Sequence, residues 1–188
     1  TATDAARRTL QIEMGRMLDD VAALVLEHAG DDAIVLYGGS TGPAAALRRR
    51  IADRLGERTD EDAGLYLAMP APDVEAAIER LASRVSTRLQ TAAVEEVLEH
   101  AGTAGRAVLG RDATLPAADA GQIDRLLLSR GFTAAATEDA ERLIALTLDR
   151  GGDVEEVGGV AGDLLDERAG GVGARLRYAR PAASAPVD

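Results

Sequence analysis

GRDATLPAADAGQIDRLLLS, from Gly110 to Ser129, and GGVGARLRYA, from Gly170 to Ala179, are the two stretches on which the fold turns. In the first, a glycine precedes Arg111-Asp112-Ala113-Thr114-Leu115, and Gly121 closes a short helical segment. The run Ile123 to Leu128 then reads as an apolar strand bounded by turn residues. Thr114 is expected to cap the short helix, because a threonine hydroxyl can accept a hydrogen bond from amides of the first turn. In the second stretch, Gly170-Gly171 leads into a closing strand from Val172 to Tyr178.

Working outward, Ala107-Val108-Leu109 is a short strand, and Thr137 opens a helix holding Leu143, Ile144, Leu146 and Leu148. Val154 to Val157 is a strand, and Ala161 to Arg168 a helix. The order is β-α-β-α-β-α-β with helix-length crossovers, which demands a largely parallel or mixed sheet between helices.

The first half repeats the α/β theme less cleanly. Leu10, Met14, Met17, Leu18, Val21, Leu24 and Val25 keep helical spacing over 4–29, with Gly30 as a stop. Ala33 to Tyr37 reads as a buried strand, and Gly38 to Pro43 as a turn with Pro43 suited to the next helix's first turn. That helix should bury Leu47, Ile51 and Leu55. Glu57 to Asp62 is expected to be a polar loop before a second strand, Leu65 to Met69. Asp73 is placed to cap a long helix in which Val74, Ile78, Leu81, Val85, Leu89, Val94 and Val97 keep spacing through His100. Its length suggests a connector, or two helices end to end, with a boundary near residue 88. The units expected are 1–88 and 89–180, with 181–188 a disordered tail. The helical pattern is already under way at Thr1, as in a piece of a longer protein.

Composition narrows the chemistry. The net charge is −11 over 188 residues, and all 21 basic residues are arginine. Such a chain repels phosphate backbones, so nucleic-acid contact has to be local and DNA is not an expected partner. Cysteine is absent, which removes disulfides and thiolate chemistry. Both histidines, His28 and His100, fall in Glu-His-Ala-Gly, the last turn of a helix before a glycine stop, where they suit the negative end of the dipole. No metal or cofactor is called for. Neither a signal peptide nor a membrane span is apparent, and a soluble, cytoplasmic protein is expected.

Gly38-Gly39-Ser40-Thr41-Gly42 follows a strand and precedes a helix, where backbone amides can hold phosphate. It lacks the P-loop lysine and the dinucleotide spacing, so a tight turn is the simpler reading. Arg48-Arg49-Arg50 is the one run of three basic residues, and it reads as a solvated helix face or a phosphate contact. Ser40, Ser83, Ser86 and Ser129 have no histidine placed to activate them, so a hydrolytic triad is not indicated.

The pattern Gly-x-x-x-Thr-Leu-x-x-Ala-x-x-Gly-x-Ile-Asp-x-Leu-Leu from Gly110 to Leu127 resembles the C-terminal domain of archaeal and eukaryotic class I peptide release factors and Pelota. The closing Gly170-Gly171 and Leu176-Arg177-Tyr178 are similar to that domain's final strand. Bacterial relatives, including Balon-type ribosome hibernation factors, look like the nearest group. The resemblance implies a partial ribonuclease H-like central domain, then an α/β/α sandwich related to kink-turn-binding ribosomal proteins. It also implies a ribosome-binding protein acting in hibernation or rescue, with the ribosome and a translational GTPase as partners. The Gly-Gly-Gln loop of release factors does not occur, so peptidyl-tRNA hydrolysis would need residues outside this sequence. The partner-binding candidates are Arg48, Arg49, Arg50, Gly110, Arg111, Asp112 and Thr114. Kink-turn binders carry a Thr-Lys pair in the Gly110 loop. Here the lysine is missing and Asp112 would repel phosphate, so protein contact is the better inference.

Overall fold

The computed structural model describes residues 2–30, 33–103 and 105–179. The chain divides into two compact units, Thr1–Arg88 and Leu89–Asp188. The tail at 181–188 lies outside the described residues.

In the first unit, α1 (Ala2–His28) is followed by β1 (Val35–Gly38), α2 (Thr41–Leu55) and β2 (Thr59–Asp62). The two strands pair in parallel, Val35 opposite Thr59 and Gly38 opposite Asp62, so α2 is the crossover between them. Pro43 lies in the first turn of α2, where its missing N–H costs nothing. Ala22 from α1, Ala29 just after it, and Ile51 and Leu55 from α2 form the buried cluster, and Leu47 reaches only half-burial. β1 is likewise only half-buried, although its sequence reads as a buried strand.

The second strand is not where the sequence suggests. Thr59-Asp60-Glu61-Asp62 forms β2, and Leu65 to Met69 is turn and coil with Leu67 wholly exposed. Strand propensity is a weak prior that tertiary context overrides. Here the context is a row of arginines on α3 (Ala71–Thr103): Arg84 Nε bonds Asp60 at 2.9 Å, Arg80 approaches Asp62 at 3.8 Å, and Arg88 donates to the Thr59 carbonyl at 2.8 Å. The acidic strand is neutralised by the helix that follows it. α3 is one continuous helix of 33 residues, with no break between two shorter ones. Asp73 falls inside its first turn, not at the cap, where it still complements the dipole.

In the second unit, a mixed sheet has the order β3-β6-β4-β5. Its strands are β3 (Ala107–Leu109), β4 (Ile123–Ser129), β5 (Asp153–Val157) and β6 (Val172–Leu176). β6 runs antiparallel to both neighbours, and β4 and β5 are parallel. Helices cover both faces. On one face α4 (Arg111–Asp119), α5 (Arg130–Ala135) and α6 (Thr137–Asp149) bury Ala117, Phe132 and Leu143 against Leu126 and Leu128. On the other, the second half of α3 and α7 (Gly159–Ala169) bury Val94, Val97 and Leu165 against Leu127. The alternation in Leu126-Leu127-Leu128 thus feeds two cores, the signature of a strand covered on both sides. Strand β6 ends at Leu176, two residues short of the expected Tyr178. α5 was not apparent in the sequence: Ser129, the last residue of β4, doubles as its cap, with Oγ accepting from the Phe132 amide at 2.9 Å.

Candidate functional site

The basic run on α2 separates into two kinds of arginine. Helical spacing puts Arg50 and Arg54 along one side of α2, Arg58 follows in the bend beyond its end, and all three reach α1 or the residues just after it. Arg50 bonds Asp19 at 2.6 Å, Arg54 donates to the Leu26 carbonyl at 2.6 Å, and Arg58 donates to the Gly30 carbonyl at 3.4 Å. Arg50 is therefore a clamp between helices. Arg48 and Arg49 are exposed, with no ion pair among the described residues. Arg49 lines an open, largely apolar groove with Leu10, Met14 and Pro43. Tyr37, on β1, has its phenol pushed above its ordinary range by burial first and by the Glu61 charge second, with Arg48 pulling the other way.

The glycine-rich turn before α2 is structural. A side chain at Gly38 would meet the Leu65 Cβ at 2.3 Å, so glycine lets Leu65 pack over the strand end. The space there is about 10 Å³ and is bordered by Glu61 and Asp62. That volume is below what a phosphate needs, and two carboxylates border it.

At the β3–α4 junction, Gly110 sits at φ 78°, a conformation that disfavours any side chain. Its amide bonds the Val172 carbonyl at 2.8 Å, tying the loop to β6. α4 starts at Arg111, so Thr114 lies inside the helix and is not its cap. Its hydroxyl donates back to the Gly110 carbonyl at 2.8 Å, and the residue is fully buried. The positive-φ glycine takes the cap position, which cap preferences alone could not reveal. Arg111 grips Asp139 in the first turn of α6 through Nε and through Nη2 at 3.1 Å. The hydrogen bond to Arg111 holds the Asp139 carboxyl below the usual carboxylate range, and the same contact raises the guanidinium further. Asp112 points fully into solvent. Gly110, Arg111 and Asp112 therefore present a surface that is pinned, paired and carboxylate-tipped. Thr114 takes no part in it. The two patches fall in different units.

Two polar arrangements carry no sequence signal. Buried Ser129 donates to Asp166 on α7 while its oxygen caps α5. Arg175 on β6 is held by Asp124 at 2.6 Å and Glu96 at 2.9 Å. Their partners lie 37 and 51 to 79 residues away, so only the fold brings them together. Both histidines sit in the last turn of their helices with Nδ1 on the carbonyl four residues back, at 2.9 Å for His28 and 2.8 Å for His100. Among the described residues, no group of three or more His, Cys, Asp or Glu could hold a metal, and no helix is long and apolar enough to cross a membrane.

The chain as a whole has counterparts in fold among proteins of known structure. The chain is similar in fold to Pelota and Dom34. Against Saccharomyces cerevisiae Dom34, described as a translation termination-like factor involved in RNA quality control and interacting with Hbs1, the TM-score is 0.65 at 17% identity, covering 90% of this chain and 54% of that one. A chain of ribosome-bound archaeal Pelota and ABCE1 gives 0.62 at 18% identity, over 88% and 50%. Archaeoglobus fulgidus Pelota gives 0.50 at 17% identity, over 86% and 53%. The protein thus spans about half the length of these relatives. No protein-family model matches the sequence, and no curated protein matches it.

Proposed function

We propose that this protein is a translation-associated factor that binds the ribosome, in hibernation or rescue, and docks there chiefly through protein contacts. The observation that carries the reading is the likeness in fold to Pelota and Dom34 over about nine-tenths of the chain. On this reading the first unit is a partial ribonuclease H-like central domain. The second is an α/β/α sandwich of the kind found in kink-turn-binding ribosomal proteins. The partners are the ribosome and a translational GTPase, met in the cytoplasm.

The electrostatics favour protein over RNA as the main contact. Arg50, Arg80, Arg84, Arg88, Arg111, Arg130, Arg142 and Arg175 all have carboxylate partners within the chain. In the Gly110 loop, the one cation, Arg111, is shared between Asp139 and the exposed Asp112, so carboxylate is in excess. A phosphate binder would show the reverse.

The test is co-sedimentation of the full-length protein with ribosomes from growing and stationary cells. Enrichment in a ribosomal fraction is expected, and its absence from every such fraction refutes the reading. The paired arginines also favour a narrower second reading, an interaction module that binds a translation protein but no RNA. Capture of such a partner, with no RNA retained at low salt, distinguishes it.

A further inference from the structure

The end of the second unit's sheet holds a polar cleft of about 510 Å³, formed where α3, β3, β4 and β6 finish or begin. Its two carboxylates, Glu96 and Asp124, both serve Arg175, which they grip at 2.9 and 2.6 Å. The other cations of the cleft are therefore left without a counter-charge. Arg106 is exposed and has no ion pair among the described residues. Arg177 is held by backbone alone, Nε on the Ile123 carbonyl at 3.1 Å and Nη2 on the Arg150 carbonyl at 2.8 Å. Two carbonyls orient its guanidinium without neutralising it. His100 engages the Glu96 carbonyl through Nδ1, which leaves Nε2 for a ligand. Tyr178 stands at the rim, 76% exposed.

We infer that this cleft is a binding site for a nucleoside phosphate, the phosphate held between Arg106 and Arg177 and the base laid on the Tyr178 ring. Guanidinium groups recognise phosphate by paired N–H donors, and a fixed guanidinium loses little freedom on doing so. An exposed aromatic ring beside such a pair is the standard platform for a base. A cation pair with an aromatic rim fits that ligand better than a bare carboxylate or an inorganic anion, which would leave Tyr178 unused. The site lies apart from the Arg111 surface, and its existence does not depend on ribosome binding. Two sources share the chemistry, a free mononucleotide and a residue of single-stranded RNA.

The experiment uses the full chain with AMP, inorganic phosphate, adenosine and a five-residue oligoadenylate, read by calorimetry and by the ring resonances of the two histidines. AMP is expected to shift His100 and leave His28 in place. Arg106→Glu should weaken AMP and phosphate by about tenfold or more, the loss of a charged hydrogen-bond partner. Tyr178→Ala should weaken AMP by about fivefold or more and leave phosphate unchanged, since only stacking is lost. Both side chains are exposed and make no hydrogen bond described in the fold, so neither variant threatens folding. If the oligonucleotide binds at least about tenfold tighter than AMP, RNA is the source, through its added phosphate contacts; equal affinities assign a mononucleotide. Absence of saturable binding by AMP and oligonucleotide overturns the proposal, as does binding that neither variant alters.

Discussion

Gly170 and Gly171 offer a sharp test of the second unit, because the same substitution has different consequences at adjacent positions. Both have positive φ, 60° and 83°. Alanine in the left-handed region costs about 1–2 kcal/mol relative to an ordinary position. At Gly170 that is the whole effect, since an added Cβ meets nothing within 4 Å. At Gly171 the Cβ would lie 2.7 Å from Asp166 Oδ1, Phe132 Cβ and Ser129 Oγ at once. Relieving three contacts of that kind in a packed core adds about 1–3 kcal/mol. Two of the three atoms belong to the Ser129–Asp166 hydrogen bond, so the strain cannot be relaxed without loosening it. Gly171→Ala should therefore be less stable than Gly170→Ala by about 1–3 kcal/mol. With two units, global melting is not a safe two-state readout. Hydrogen exchange in peptides covering Ile123–Ser129 and Val172–Leu176 reports the second unit directly. Equal protection in the two variants would refute the packing argument and reduce both effects to backbone conformation.

Ser129→Ala removes the cap of α5 and leaves the Phe132 amide without its acceptor. A loss of about 1–2 kcal/mol, read by the same exchange experiment, is expected for a buried cap. The Asp139 carboxyl should titrate below its ordinary value near 4. Its contribution to stability is complete above that ordinary value and falls away as pH drops through the lowered one. Carboxyl carbon shifts in Arg111→Ala should return Asp139 to the ordinary range, and an unchanged titration would sever the pair. Tyr37, raised by burial first and by the Glu61 charge second, should ionise above the ordinary tyrosine range in ultraviolet titration. Because the folded state keeps that proton longer, Tyr37 contributes stability that is lost as pH rises above about 10.

The second unit was legible because each of its elements carries its own signal. Gly121 and Gly170 mark helix ends, and Leu126-Leu127-Leu128 is apolar for a strand with helices on both sides. The misses have a common cause. β2 is a string of three acids that no propensity scale favours, and it becomes a strand only because arginines of α3 meet it. Thr114 has the chemistry of a cap, but Gly110 at positive φ takes that place four residues earlier. The site candidates fared unevenly for a similar reason. A run such as Arg48-Arg49-Arg50 shows charge but not pairing, and pairing assigns Arg50 to α1 and leaves Arg48 and Arg49 at the surface.

Pairing also sets how the proposed ribosome binding should respond to salt. A factor that holds rRNA by neutralising six to ten phosphates loses roughly 10³–10⁵ in affinity between 50 and 200 mM salt. At least eight of this chain's 21 arginines are held by its own carboxylates, and acids outnumber them overall. Of the candidate contact residues, Arg48 and Arg49 are the cations with no carboxylate partner among the described residues, since Arg50 is held by Asp19 and Arg111 by Asp139. Two local contacts at those positions, in a chain of charge −11, can orient a complex on RNA but cannot supply its affinity. If RNA is met only there, as docking through protein contacts requires, the logarithmic salt slope of binding is shallow, about −2 or less in magnitude, with each contact adding about 0.9 at most. Arg48→Ala with Arg49→Ala should flatten it further, while the affinity at high salt stays nearly unchanged. A slope of −6 or steeper would mean that phosphate contacts dominate after all, and the assignment of the Gly110 surface to a protein partner would fall with it.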